Sequence, residues 1–248
     1  MKKLITHSGG GDSLAIMLEY RDKYGAENIV SLGFNYGQRH FKMENDAAER
    51  FCIANRIERI VLDVPIGQIG GCSLVDHSIP VTNDMAQQRS TVVPMRNAIF
   101  MMLAAAVAQV KGCDVITHGA CKEDEASYRD CRPVFFGCMQ QAIQSGITQP
   151  VKGSEDTASD YVIEKNGDIF GMYLRPEKID IKIATPLILE NKATTMARIL
   201  KSYPVDIYKY SYSCYNGGAR QCGKCPACQE RKAAFEANNV IDPVGYES

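Results

Sequence analysis

Three glycines stand together in Ser8-Gly9-Gly10-Gly11-Asp12-Ser13, between a short apolar run, Leu4-Ile5-Thr6-His7, and a stretch of helix formers, Leu14-Ala15-Ile16-Met17-Leu18-Glu19-Tyr20. A strand that passes into a helix through such a loop can turn tightly and bring its backbone close to a ligand. The free N–H groups of the first helical turn, with two hydroxyls beside them, make a site for phosphate. Asp12 suits an N-cap or a magnesium ligand, because a bare carboxylate facing phosphate is unfavourable. The loop lacks the lysine of G-x-x-x-x-G-K-S/T and is not a Walker A loop. An ordinary Gly-rich strand–helix turn is the plain alternative.

Strand-like and helix-like runs alternate through the first 145 residues. Residues 28–34, 60–64 and 114–117 follow the first strand as further strands, and residues 41–55 form a helix with charges along one side. Residues 96–110 are apolar on nearly every side and read as a buried helix. Strands spaced by helices of this length imply βαβ crossovers, a parallel doubly wound sheet and helices on both faces, an α/β fold. Ligands of such sheets gather at the carboxyl ends of the strands, where the Ser8–Ser13 loop lies. Three regions result: an α/β core over 1–145, an inserted segment over 146–182, and a C-terminal segment over 183–248. Within the insertion, residues 149–159 read as a polar connection. Tyr161 to Lys165, Asn166-Gly167 and Asp168 to Tyr173 read as a β-hairpin closed by a type I′ turn, followed by a strand over 179–183. A two-stranded ribbon as apolar as this one needs something to pack against, so it is expected to dock on a second copy of the chain in a homodimer.

At 248 residues and 45% hydrophobic content, the chain can bury one sizeable core. A net charge of -1 gives no global basic field, so nucleic acid is not an obligatory partner. No apolar run approaches the roughly 18 residues of a membrane span, and the N-terminus enters a strand directly. Of ten cysteines, six are scattered singly and four crowd near the C-terminus. That distribution suits a cytoplasmic metal-binding protein better than a secreted disulfide scaffold.

The crowded set is Cys214, Cys222, Cys225 and Cys228. Four thiolates make a closed tetrahedral set for zinc, and the two-residue spacers let successive sulfurs wrap one ion. An iron–sulfur cluster also takes four thiolates, with common spacings that differ, and a redox dithiol needs only one C-x-x-C. A closed zinc site has no open position, so zinc would organise the segment without activating water.

Three further stretches carry polar groups in suggestive places: Phe34-Asn35-Tyr36-Gly37-Gln38-Arg39-His40, Val93-Pro94-Met95-Arg96-Asn97, and Tyr128-Arg129-Asp130-Cys131-Arg132-Pro133. Singly, they pass for a basic turn, a Pro-initiated helix entry, and a surface Asp130–Arg132 ion pair.

S-G-G-x-D-S directly after an N-terminal strand resembles the pyrophosphate loop of enzymes that cleave ATP between its α and β phosphates. In order, that loop, F-N-Y-G-Q-R-H, V-P-x-R-N, Y-x-D-C-R-P, Ala184-Thr185-Pro186-Leu187 with Lys192, and S-C-Y-N-G-G followed by C-G-K-C-P-A-C closely resemble the 7-cyano-7-deazaguanine synthase (QueC) family. The ending from Arg231 to Tyr246 does so as well, and only residues 146–178 fall outside the likeness. The resemblance implies an adenine nucleotide α-hydrolase-like sheet and an ATP-dependent carbon–nitrogen ligase. Such an enzyme activates a deazaguanine carboxylate with ATP, admits ammonia to give the amide, and activates again to give the nitrile. It also implies roles. Ser8, Gly9, Gly10, Gly11, Asp12 and Ser13 would hold pyrophosphate with Mg2+, while Asp12, Arg96 and Lys192 would act on the phosphates. Gln38, Arg39, Asn97, Tyr128, Asp130, Cys131 and Arg132 would surround the base.

Three departures bear on this, the first being that the hairpin of residues 160–174 is additional to the family pattern. Gly11 stands where the family usually has a larger apolar residue, and Glu125 and Arg129 put charge where D-Y-S-G-Y-P is common. An activating ligase that stops at the amide, or uses another amine, stays open on those grounds. A tRNA thiolase sharing the loop and a non-catalytic zinc-binding module are more distant alternatives.

Overall fold

The computed structural model describes residues 1–83, 90–147 and 180–247. The expected hairpin of residues 160–174 and the connection at 149–159 lie outside the described residues.

Five strands form one sheet: β1 (Lys2–Thr6), β2 (Ile29–Asn35), β3 (Glu58–Asp63), β4 (Cys113–Thr117) and β5 (Lys182–Ala184). Their order is β3-β2-β1-β4-β5, and every adjacent pair is parallel. Helices α1 (Gly11–Tyr24), α2 (Phe41–Asn55), α3 (Arg96–Lys111), α4 (Lys122–Ser127), α5 (Pro133–Gly146), α6 (Lys192–Leu200) and α7 (Pro226–Ala237) accompany it. Side chains alternate across a strand, and the two faces bury different neighbours. Leu4, Val30, Leu32 and Ile116 pack with α3 and α5. Ile5 and Ile29 pack with α1, α2, α6 and α7 through Leu14, Phe51, Met196 and Phe235. This is the doubly wound parallel architecture.

The chain winds outward from β1 through β2 to β3, then returns to place β4 on the other side of β1. The strand order therefore reverses at the β1/β4 boundary. Connections leaving the carboxyl ends of two adjacent strands part there, which opens a crevice.

Strand and helix limits differ from the sequence expectation by a residue or two, and α2 coincides with it. The last strand is Lys182–Ala184, shorter than the expected 179–183. Two expectations about α3 are corrected. It is not buried all round: Phe100, Met101, Ala104, Ala105 and Ala108 face the sheet, while Val110 is 84% exposed and Met102 45% exposed. Small alanines bring the helix close to the sheet, and its outer side is left to solvent. Nor does Pro94 initiate it. The cap position is Met95, held at φ 55°, and Asn97 N–H donates to Asp130 Oδ2 at 3.2 Å. A side chain from a later turn thus satisfies one of the free amides of the helix start.

The C-terminal segment is braced internally by Arg231. Its guanidinium makes a two-pronged pair with Asp242, at 2.6 and 2.9 Å, and donates to Ser211 Oγ at 2.8 Å. Both members of the ion pair are almost fully buried.

Candidate active site and metal centre

The loop between β1 and α1 is built by its own hydroxyls. Ser13 Oγ donates to Gly10 O at 3.0 Å, and Ser8 Oγ accepts from Gly10 N–H at 3.1 Å and lies 3.2 Å from Ser13 Oγ. The first helical bond is Leu14 N–H to Gly10 O at 3.0 Å. The amides of Gly11, Asp12 and Ser13 consequently have no partner within the helix. Asp12 is not the N-cap, contrary to one of the two roles its position suggested. Gly10 caps α1 without a side-chain bond, because the chain enters the helix two residues earlier. Gly9 sits at φ 103°, and a Cβ on it would lie 2.1 Å from Glu44 O. The loop is therefore pressed onto the first turn of α2, and its other side is pinned by Tyr212 N–H donating to Gly9 O at 2.8 Å.

Asp12 points at Lys192, the first residue of α6, whose position is set by the Asn191 cap accepting from Thr194 N–H at 2.7 Å. Lys192 Nζ lies 3.2 Å from Asp12, 3.5 Å from Glu230 and 3.9 Å from Asp124, and donates to Cys121 Sγ at 3.0 Å. Burial works against the charge on this ammonium, but the carboxylates outweigh it and hold the lysine pKa well above its usual value. Burial pushes Asp12 and Glu230 up, with Lys192 offsetting part of the rise. One cation thus faces three carboxylates at the Ser8–Ser13 loop.

Two cavities meet at this loop. The first, about 220 Å³, has aromatic walls: Phe34 and Phe100 stack at 4.0 Å, and Tyr36 tilts against Phe100. Arg96 lies over both Tyr36 and Tyr128, at 6.0 and 5.9 Å from the ring centres. The second, about 180 Å³, is lined by Lys192, Met196, Tyr208, Glu230 and Phe235. Ser8, Gly10, Asp12, Glu44, Asp124 and Tyr215 border both.

Of the residues expected around a base, Gln38, Asn97, Tyr128 and Cys131 line the aromatic cavity, and Arg96 lines it with them. Gln38 is engaged with its own turn, donating to Phe34 O at 3.0 Å and accepting from Tyr36 N–H at 2.9 Å. Arg39, Asp130 and Arg132 do not line either cavity. Arg39 spends its guanidinium on the carbonyls of Ser73, Asp76 and Ile79. Asp130 caps α3 and, through its carbonyl, accepts from Asn97 Nδ2 at 3.1 Å. Arg132 reaches Glu125 O and makes no ion pair with Asp130 among the described residues.

Sequence reasoning passed over Glu44, Arg59, Asp124 and Glu230. Arg59 leaves the edge strand β3 and crosses β2 over Gly33, where a Cβ would stand 2.6 Å from its Nη2. It donates to Ser31 Oγ at 2.9 Å and Asn45 Oδ1 at 2.9 Å, and lines the aromatic cavity. A glycine in β2, two residues beyond the arginine's register partner Ser31, was the available signal.

Cys214, Cys222, Cys225 and Cys228 are all buried, and their sulfurs lie within 4.8 Å of one another. Tetrahedral zinc with Zn–S near 2.3 Å sets sulfurs about 3.8 Å apart, a spacing this cluster can meet. Backbone N–H groups already point at the sulfurs: Cys222 N–H at Cys214 Sγ and Cys225 N–H at Cys222 Sγ, both 3.3 Å. Such donors stabilise thiolate, and buried thiolates need a cation. The cluster has the donors and the spacing that could hold a metal ion.

Comparison with known proteins adds the family. A family model described as queuosine biosynthesis protein QueC matches residues 2–239. The chain belongs to the QueC family. It is 32% identical to 7-cyano-7-deazaguanine synthase of Chlorobium luteolum, over 100% of this chain and 97% of that protein. It is 34% identical to 7-cyano-7-deazaguanine synthase 1 of Colwellia psychrerythraea, over 99% of each. A solved structure, the U34-tRNA thiolase NcsA from Methanococcus maripaludis, is similar over 96% of this chain and 66% of that one, at 15% identity and a TM-score of 0.45. That likeness is too distant to argue from. The motifs that carry the QueC resemblance fall on the loop, the two cavity walls and the cysteine cluster. No described helix of this QueC-family chain is long and apolar enough to cross a membrane.

Proposed function

We propose that this enzyme converts 7-carboxy-7-deazaguanine, ATP and ammonia into 7-cyano-7-deazaguanine, through an adenylated carboxylate and an amide. The observation that carries the reading is the phosphate loop at the seam of two cavities, one with flat aromatic walls. The reaction joins two planar ring systems at a carboxylate and an α-phosphate, and two cavities that share one phosphate-binding border suit that need.

Carboxylate oxygen is a poor leaving group, and adenylation lets it depart as AMP. The amides of Gly11, Asp12 and Ser13, with the hydroxyls of Ser8 and Ser13, receive the pyrophosphate. Lys192 offsets charge that builds on the phosphates, and Arg96 supplies a second cation on the aromatic side. Three carboxylates about one lysine leave net negative charge where ATP must bind, a donor set that fits magnesium. Asp12 and Asp124 would hold that ion, which when bound draws charge from the phosphates. Tyr128, Cys131 and Asn97 contact the deazaguanine ring, and Asp130 serves it by fixing Asn97. The four cysteines hold a structural zinc that shapes the second cavity's wall through α7.

Incubation with ATP, ammonium and the deazaguanine acid tests the reading by product mass. The nitrile is the expected end product, with AMP and pyrophosphate. An end product at the amide would replace the reading with an amidating ligase, and absence of AMP would contradict both.

A further inference from the structure

Nitrogen loses three protons between ammonia and the nitrile; one passes to solvent as the imidate forms, and the two lost as C–O bonds break need an acceptor at the site. Asp12, Asp124 and Glu230 are occupied by Lys192. Burial pushes the Cys121 thiol up, and that of Cys131 to about 12, so both stay protonated. His40 and His118, which line the aromatic cavity, are drawn down by burial to about 4, which makes them bases too weak to hold a proton near pH 7.

Glu44 differs from all of these. It borders both cavities. Its backbone touches the phosphate loop, since the Cβ position of Gly9 falls on Glu44 O. Its side chain is 15% exposed, and its nearest basic partner is His40 Nε2 at 3.6 Å, a ring that carries no charge near neutrality. Arg59 faces it from β3 and Arg96 from α3, while Asp12, Asp124 and Tyr215 share the seam. A carboxyl so placed reaches the point where loop, acid and ATP converge without being locked in an ion pair.

We propose that Glu44 is the base that takes protons from nitrogen in both halves of the reaction, an inference that rests on the function proposed above. In the first half, the ammonia lone pair forms the C–N bond. The C–O bond to AMP breaks with its electron pair leaving on the phosphate oxygen, and Glu44 takes one N–H proton. In the second, the amide oxygen attacks the α-phosphorus, pyrophosphate leaves, and one N–H proton passes to solvent as the neutral O-adenyl imidate forms. Glu44 takes the remaining N–H proton as the C–O bond breaks, which leaves the C≡N triple bond and AMP. Each step converts one carboxylate to carboxylic acid, and solvent takes the proton between steps. Burial lifts the Glu44 pKa to about 8 against the pull of Arg96 and Arg59, which suits a base working near neutral pH.

The test starts from the amide and ATP, a half-reaction free of ammonia and its own ionisation. For the wild-type protein, the nitrile-forming rate is expected to rise with pH through about 8 and then level off. For Glu44→Gln the nitrile rate is expected to fall about a hundredfold and lose that limb. One pyrophosphate per site should still be released, because adenylation needs no such base, and Glu44→Asp should restore part of the rate. A Glu44→Gln nitrile rate within twofold of wild type, with the limb intact, would overturn the inference. So would joint loss of pyrophosphate and nitrile in both variants, which marks a structural residue. Wild-type protein that forms no nitrile at all would overturn the reading of function itself, and this inference with it.

Discussion

Cys225→Ala protein is expected to purify without stoichiometric metal and with its C-terminal segment unfolded, whereas the wild type should hold about one zinc per chain. Cys225 is fully buried and caps α7, with Pro226 at the first helical position. A metal held there sets where that helix starts. From the same helix Glu230 reaches Lys192, Arg231 pairs with Asp242, and Phe235 enters the core. Structural zinc contributes an apparent binding energy of about 10–16 kcal/mol at neutral pH, most of which is folding energy. A whole domain is stable by only about 5–15 kcal/mol, so no local rearrangement offsets the loss. Metal analysis of reduced protein, with hydrogen exchange over α7, checks this. Full zinc in the variant, or iron as the wild-type metal, would refute it.

Gly9→Ala is expected to lower pyrophosphate release about a hundredfold and to cost about 2–5 kcal/mol of stability, while Gly11→Ala two residues away leaves both near wild type. At Gly9 the added methyl meets a backbone oxygen of α2 at 2.1 Å, and φ is 103°. Backbone strain of about 1–3 kcal/mol and overpacking of similar size add, and neither neighbour can swing aside. A shift of about 1 Å at a positioning group costs about two orders of magnitude in rate. At Gly11 the methyl would find only the Tyr208 ring, at 3.9 Å, and a helical glycine exchanged for alanine gains about 0.5–1 kcal/mol. Gly11, the loop's departure from the common family pattern, therefore leaves space and creates no strain. Initial rates with chemical denaturation of the three proteins decide the point. Equal losses at both positions would show that the loop responds to any bulk.

What was legible in the sequence follows what local chemistry controls. The strand–glycine–helix junction, the alternation that yields a parallel sheet and the cysteine spacing depend on neighbours in the chain. Each is found where the residues placed it. Direction within a turn is less local. Gln38 and Arg39 are adjacent, yet one lines the aromatic cavity and the other turns away to three carbonyls. Asp130 lies in the same motif as Tyr128 but supports α3 and does not face the cavity. Glu44 and Glu230 were passed over because their sequence setting is that of ordinary helical acids. Only the meeting of α2 with the loop puts Glu44 at the seam, and only that of α7 with Lys192 puts Glu230 on the second cavity's wall.

In the proposed reaction, ATP activates the carbonyl oxygen of the deazaguanine by adenylation at the Ser8–Ser13 loop, once on the acid and once on the amide. Oxygen-18 in both positions of the substrate carboxylate tests it most directly. The expected result is AMP bearing one heavy oxygen from each activation, two such molecules for every nitrile formed, and unlabelled pyrophosphate. ADP as the nucleotide product, or AMP without the label, would contradict it.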